Sequence, residues 1–180
     1  MARGLIVLMV LVVLAWVLEI GDFLVPGRWL DSNGIQPRTL SGLWGILFAP
    51  LLHGGFGHLV ANTVPCLVLG TLVMLRGIGT FIGVSLMVMV LGGLMVWLLA
   101  PSNSIHIGAS GLIFGYIGYL LARGYFERNF SSLGIAALVA LLYGGALWGV
   151  LPGQIGISWQ GHLFGFLSGI ATAGLLRPRD

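Results

Sequence analysis

The chain has 180 residues, 58% of them hydrophobic and only 7% charged. A soluble domain carries about 25% charged residues, so this chain could not clothe a water-facing surface, and its solvent must be lipid. All eight basic residues are arginines scattered singly, so the net charge of +3 gives no nucleic-acid-binding patch, and the lone Cys66 excludes an internal disulfide.

A bilayer core of about 30 Å needs roughly 20 apolar residues per helix. Met1-Ala2-Arg3 and the apolar run behind it resemble a signal peptide, but the run ends in Glu19-Ile20-Gly21-Asp22 without a small-x-small cleavage site. It therefore reads as an uncleaved first span, 4–25. Residues 26–52 form the one long connection. They carry Pro26, Pro37 and Pro50, a polar stretch over 31–41, and Trp29 and Trp44, the composition of a segment lying in the membrane interface. Further spans are expected at 59–75, 78–99, 111–125, 130–150 and 163–176. The fold class is an all-α membrane protein, a six-helix bundle forming one domain over 1–180. The fourth span is short, which implies a helix that begins below the membrane surface after a loop dipping inward. Such a loop is tolerable only where it is buried in protein or lines a wet cavity.

Arginine positions orient the bundle. If the spans alternate, Arg3, Arg76, Arg123, Arg128, Arg177 and Arg179 share one side, and Arg28 and Arg38 the other. The positive-inside rule then puts both termini in the cytoplasm.

Polar side chains within spans are costly and mark function by default. His58 and Asn62 open the second span, Ser110 the fourth and His162 the sixth. Even-numbered spans all begin on the outer side, so three helices bring four polar groups to a similar depth. His58 and Asn62 are four apart and share a helix face. Gly111, Gly115 and Gly118 stripe the fourth span, and Gly161, Gly165 and Gly169 the sixth; small residues at this spacing let membrane helices approach backbone to backbone. Facing stripes would bring Ser110 and His162 within hydrogen-bond reach, the imidazole serving as base for the hydroxyl nucleophile. Ser110 at a helix N-terminus sits among free N–H groups that favour a developing negative charge, to which Asn62 and His58 can add donors. No carboxylate lies near Ser110 or His162 on these spans. Glu127 and Asp180 belong to the opposite face, and Asp22 and Asp31 reach the site only if the first loop folds over it. The pair is thus a dyad. Four histidines without His-Glu-x-x-His or an adjacent carboxylate predict no metal and no cofactor, and Leu112 removes the Gly-x-Ser-x-Gly elbow of soluble hydrolases. His53 and His106 read as interfacial or loop histidines, Tyr116, Tyr119 and Trp97 as packing or lipid-facing aromatics, and Cys66 as a small packing residue.

Taken together, His53-Gly54-Gly55-Phe56-Gly57-His58-Leu59-Val60-Ala61-Asn62, Gly108-Ala109-Ser110-Gly111 and Gly161-His162-x-x-Gly165-x-x-x-Gly169, in this order on six spans, resemble the rhomboid family of intramembrane serine proteases, in its prokaryotic six-helix form. The likeness covers nearly all of the chain. It implies Ser110 as nucleophile, His162 as base, His58 and Asn62 as oxyanion donors, and Phe114 as an aromatic packing against the catalytic histidine. It further implies single-span transmembrane substrates, reached between the second and fifth spans and cut near their outer ends, with residues 151–160 capping the site. A prokaryotic inner-membrane location with the site facing outward goes with it. One feature departs from the pattern: many bacterial members have Trp-Arg in the first loop, whereas Trp44 is followed by Gly45. The alternative is a non-catalytic rhomboid-like protein that binds membrane clients, which would be expected to lack the serine or the histidine. A transporter would carry polar residues through to the cytoplasmic half.

Overall fold

The computed structural model describes residues 2–25, 27, 29–154 and 156–177. Met1, Pro26, Arg28, Arg179 and Asp180, used above, lie outside them. Among the described residues the secondary structure is helical apart from an isolated bridge between Ile35 and His106. Seven α-helices follow in chain order: α1 (Ala2–Leu24), α2 (Gly42–Phe48), α3 (Phe56–Met74), α4 (Ile78–Leu99), α5 (Ser110–Glu127), α6 (Phe130–Tyr143, prolonged by a 3-10 turn over Gly144–Val150) and α7 (Trp159–Leu175). Helices are the expected answer to such a sequence, because in lipid every backbone N–H and C=O must be satisfied within the segment.

Four of these, α1, α3, α4 and α6 with its 3-10 extension, are long and apolar enough to cross a membrane. The expected fourth and sixth spans are also helices, α5 and α7, of 18 and 17 residues. α7 is the shorter of the two, and α5 differs from the other four for a physical reason. Ten residues of α5 are buried, so much of its surface meets protein rather than lipid, and apolarity all round is not demanded of it.

Both begin earlier than their apolar runs suggested. α5 starts at Ser110 itself, and α7 at Trp159, capped by the Ser158 hydroxyl accepting from Gly161 N–H at 3.2 Å.

The helices alternate in direction, and the arginines gather accordingly. A β-carbon on Gly4 would overlap the Met74 sulfur, so the start of α1 lies beside the end of α3. At that same end the buried Arg123 donates to Glu127 from Nε at 2.8 Å and from Nη2 at 3.1 Å. Arg76 and Ser132 also bond to Glu127, and Ser132 N–H donates to the Asn129 side chain, which caps α6. One carboxylate thus ties the α3–α4 turn, the end of α5 and the start of α6. The end of α7 packs there too, Gly174 lying against Phe126. Arg38 lies at the other end, bonded to the end of α4.

α5 and α7 form the closest pair, and the glycine stripes do face each other. A β-carbon on Gly165 would overlap the carbonyl oxygen of Gly111, and one on Gly169 that of Gly115. Around them the core is closed by Leu69, Val73, Phe81, Val84, Val88, Tyr116, Ile117 and Leu120. The Tyr116 hydroxyl is satisfied by Ser85 at 2.7 Å.

The first loop is ordered by contacts that its sequence hid. Gly45 is buried in α2, and a β-carbon there would overlap the Gly34 carbonyl. No side chain fits, so the missing arginine after Trp44 is a packing requirement. Arg38 anchors the loop to the end of α4 instead: its N–H donates to Trp97 O at 3.0 Å and its guanidinium to Leu98 O at 2.8 Å and to the Ser102 hydroxyl, while Trp97 Nε1–H returns a bond to Thr39 O at 2.8 Å. Arg38→Ala is expected to cost about 1 kcal/mol, since the guanidinium is exposed. Its signature should be faster limited proteolysis within 29–52, with the helical bundle still intact by circular dichroism.

Candidate active site

The expected site residues line one hollow. His58 and Asn62 from α3, Ser110 and Phe114 from α5 and His162 from α7 border a cavity of about 710 Å³, together with Tyr143 and Ala146 of the α6 segment and Gly156, Ile157, Ser158 and Gln160 before and at the start of α7. It lies at the end of the bundle away from the Arg123–Glu127 pair, because α3, α5 and α7 all begin there. Four polar groups from three helices therefore reach one hollow with room for water.

His162 is held on two sides. Its ring stacks on Phe114, with centroids 4.2 Å apart and planes 10° from parallel, and Nδ1 lies 3.0 Å from Gly149 O. A carbonyl can only accept, so Nδ1 carries the hydrogen. In the neutral ring Nε2 is then left as a lone pair, the form a general base needs. The main-chain carbonyl occupies the position at which a carboxylate would complete a triad. Among the described residues no Asp or Glu lines the hollow, and the Asp22 carboxylate instead accepts Leu30 N–H at 2.9 Å in the first loop.

Ser110 is the first residue of α5 and half-buried, and among the described residues its hydroxyl has no hydrogen-bonded partner. The facing glycine stripes thus bring it into the same hollow as His162 without closing the hydrogen bond between them. Catalytic hydrogen bonds are often long without substrate and tighten when it binds.

The oxyanion candidates crowd the loop before Ser110. Gly54 N–H points to His58 Nδ1 at 3.5 Å, which leaves the ring hydrogen on Nε2. That nitrogen would stand 2.7 Å from a β-carbon on Gly108, and the Asn62 amide nitrogen 3.7 Å from it. Gly108 has a φ of +110°, a conformation L side chains rarely adopt, so both space and backbone require glycine. Asn62 is buried and spends one amide hydrogen on His58 O at 3.0 Å, keeping the other.

Two histidines set aside as interfacial or loop residues are in fact buried beside this loop, at 3% exposure for His53 and 6% for His106. His53 Nε2 accepts Ala109 N–H at 3.4 Å. Burial, with the His58 ring edge-on at 5.1 Å, pushes the His53 imidazole down to about 4. It stays neutral near pH 7 and can go on accepting. Nothing in the local sequence separates such histidines from solvated ones. The place of His53 at the head of the His53–Asn62 motif was the one available signal.

Comparison with known families settles what this arrangement belongs to. The Rhomboid domain profile matches residues 40–179, most of the chain. The chain belongs to the rhomboid family. Similar relatives include an uncharacterized protein of Mycobacterium tuberculosis, 46% identical over an alignment of 173 positions that covers 92% of this chain and 72% of the relative. The Bacillus subtilis protein YdcA is 30% identical over 152 residues, 82% of this rhomboid and 75% of YdcA. Rhomboid protease GluP of the same organism is 29% identical over 175 residues, 92% of this chain but a third (33%) of GluP. Family membership and the apolar helices together make this rhomboid a multi-pass membrane protein.

Proposed function

We propose that this rhomboid is a serine endopeptidase that hydrolyses peptide bonds of single-span membrane proteins inside the bilayer. The observation that carries the reading is the state of His162: with Nδ1–H committed to Gly149 O and the ring fixed on Phe114, its basic nitrogen remains available in the hollow that Ser110 lines. His162 takes the Ser110 proton as the oxygen attacks the scissile carbonyl. The resulting oxyanion is met by the free N–H groups at the start of α5, the Asn62 amide and His58 Nε2–H. His162 then protonates the leaving amine, and a water activated by the same nitrogen releases the acyl group from Ser110.

Six spans with both termini in the cytoplasm suit this chemistry. The arginine-rich end then faces the cytoplasm, and the hollow opens beneath the outer face. Substrate reaches it between α3 and α6, whose segments border the cavity on one side, and residues 151–160 cover it. One domain suffices for all of this.

The test is direct. Purified protein in detergent or liposomes should be labelled by a fluorophosphonate and should cut a model single-span substrate; folded protein that does neither overturns the reading. Asn62→Ala is expected to lower kcat about 100-fold with little change in KM. A rise in KM alone would make Asn62 a packing residue.

A further inference from the structure

The loop between α4 and α5 holds an imidazole that the reaction leaves unused. The main chain of His106 pairs with the first loop, Ile35 N–H donating to His106 O at 2.9 Å and His106 N–H to Ile35 O at 3.0 Å. Its ring lies between two serines, Nε2 at 2.8 Å from the Ser104 hydroxyl and Nδ1 at 2.6 Å from that of Ser158.

The direction of each bond follows by elimination. The Ser104 hydroxyl spends its hydrogen on Pro101 O at 2.6 Å, so it accepts from Nε2–H. With the hydrogen of the neutral ring on Nε2, Nδ1 can only accept, so the Ser158 hydroxyl, whose oxygen accepts Gly161 N–H at 3.2 Å, gives its own hydrogen to Nδ1. The result is one unbroken chain of donors, from Gly161 N–H through Ser158, His106 and Ser104 to Pro101. A neutral ring with its hydrogen on Nε2 is the form that satisfies every link, and burial, by lowering the His106 pKa, favours the neutral form.

Each end of that chain belongs to a different half of the site. Ser158 caps α7, and its carbonyl accepts His162 N–H at 3.1 Å. Ser104 begins the segment that runs through Ile107, Gly108 and Ala109 into Ser110. The glycine contact fixes how close α5 and α7 approach, but a smooth stripe permits sliding and rotation about the axis. The His106 link opposes both motions at the end where the reacting groups stand.

We propose that His106 is a positioning residue that sets the cap of α7, and through it His162, against the loop carrying Ser110. This rests on the Ser110–His162 reading, and the experiment separates the two. In an Asn side chain the amide oxygen reaches the place of Nδ1 and can accept from Ser158. In Gln the amide nitrogen reaches the place of Nε2 and serves Ser104 alone. Full-length His106→Ala and His106→Gln should lose about 10- to 100-fold in kcat and in the rate of fluorophosphonate labelling, with KM nearly constant. His106→Asn should stay within about threefold of wild type, and the double variant His106→Ala, Ser158→Ala should be no worse than Ser158→Ala alone, which already loses both the link and the helix cap.

Amide hydrogen exchange over 158–165 should quicken in the Ala and Gln variants and not in Asn, a readout independent of activity. Unchanged exchange there in His106→Ala overturns the proposal, as does an Asn variant no better than Ala. If wild type is inert to probe and substrate while exchange follows the variants as stated, the dyad reading falls and the cross-link is upheld.

Discussion

Ser110→Ala and His162→Ala are each expected to reduce cleavage by at least about 10⁴-fold while the fold survives, because neither side chain carries packing that the helices depend on. Ser110 makes no hydrogen bond among the described residues and is half-buried, so losing its hydroxyl leaves no orphaned partner. His162→Ala frees the Gly149 carbonyl and one face of Phe114, a modest cost beside the loss of the base. The two losses should not add, since in the proposed reaction nucleophile and base act in one step. The measurement is cleavage of a reconstituted single-span substrate, with fluorophosphonate labelling in parallel and thermal unfolding as the control. A Ser110→Ala protein that still cuts would place the nucleophile elsewhere. Because the group behind His162 is a main-chain carbonyl, no substitution of a third side chain should mimic the loss of a triad acid.

Gly169→Ala should destabilise the protein by about 3 kcal/mol or more and abolish labelling with it. Its new β-carbon would overlap the Gly115 carbonyl and lie 2.8 Å from Tyr119 N. Those are backbone atoms of α5, which cannot turn aside as a side chain can, so α5 and α7 must part along their length. Separation loosens the contact that brings Ser110 and His162 into one hollow. Gly134→Ala is the matched control: it lies in α6 with nothing within 4 Å of its added carbon, and alanine there should be neutral or slightly stabilising. Equal unfolding temperatures for the two variants in the same detergent would contradict the close α5–α7 packing.

These two cases show what could be read without coordinates. Ser110, His162 and the glycine stripes were legible because membrane helices obey few rules: polar groups are costly in lipid, and small residues at regular spacing mark close approach. Helix starts were less legible. Apolar runs report where lipid begins, whereas α7 begins at its Ser158 cap, before its apolar run. The loops were the least legible. Gly45 read as a lost anchor and is instead a position where no side chain fits against Gly34, while the anchoring falls to Arg38, an ordinary surface arginine by sequence. His53 and His106 do lie in loops, but their burial was hidden for the same reason. Whether a loop histidine is solvated or enclosed depends on which distant segments fold over it, here the first loop and the start of α7, and no local pattern records that.

The knot around Glu127 bears on how a substrate could get in. It clamps the foot of α6 to α5 and to the α3–α4 turn, whereas higher up α6 offers Val139 as a buried residue and is otherwise largely bare. A rod of 21 residues, held at its base and tied near its tip by Gly149 O to His162, becomes a lever once that second bond is released: it is about 30 Å long, and a lean of about 10° carries the tip roughly 5 Å sideways. Such a swing would widen the mouth of the chamber enough to admit a stretch of unwound chain, while the ionic hinge below stayed shut.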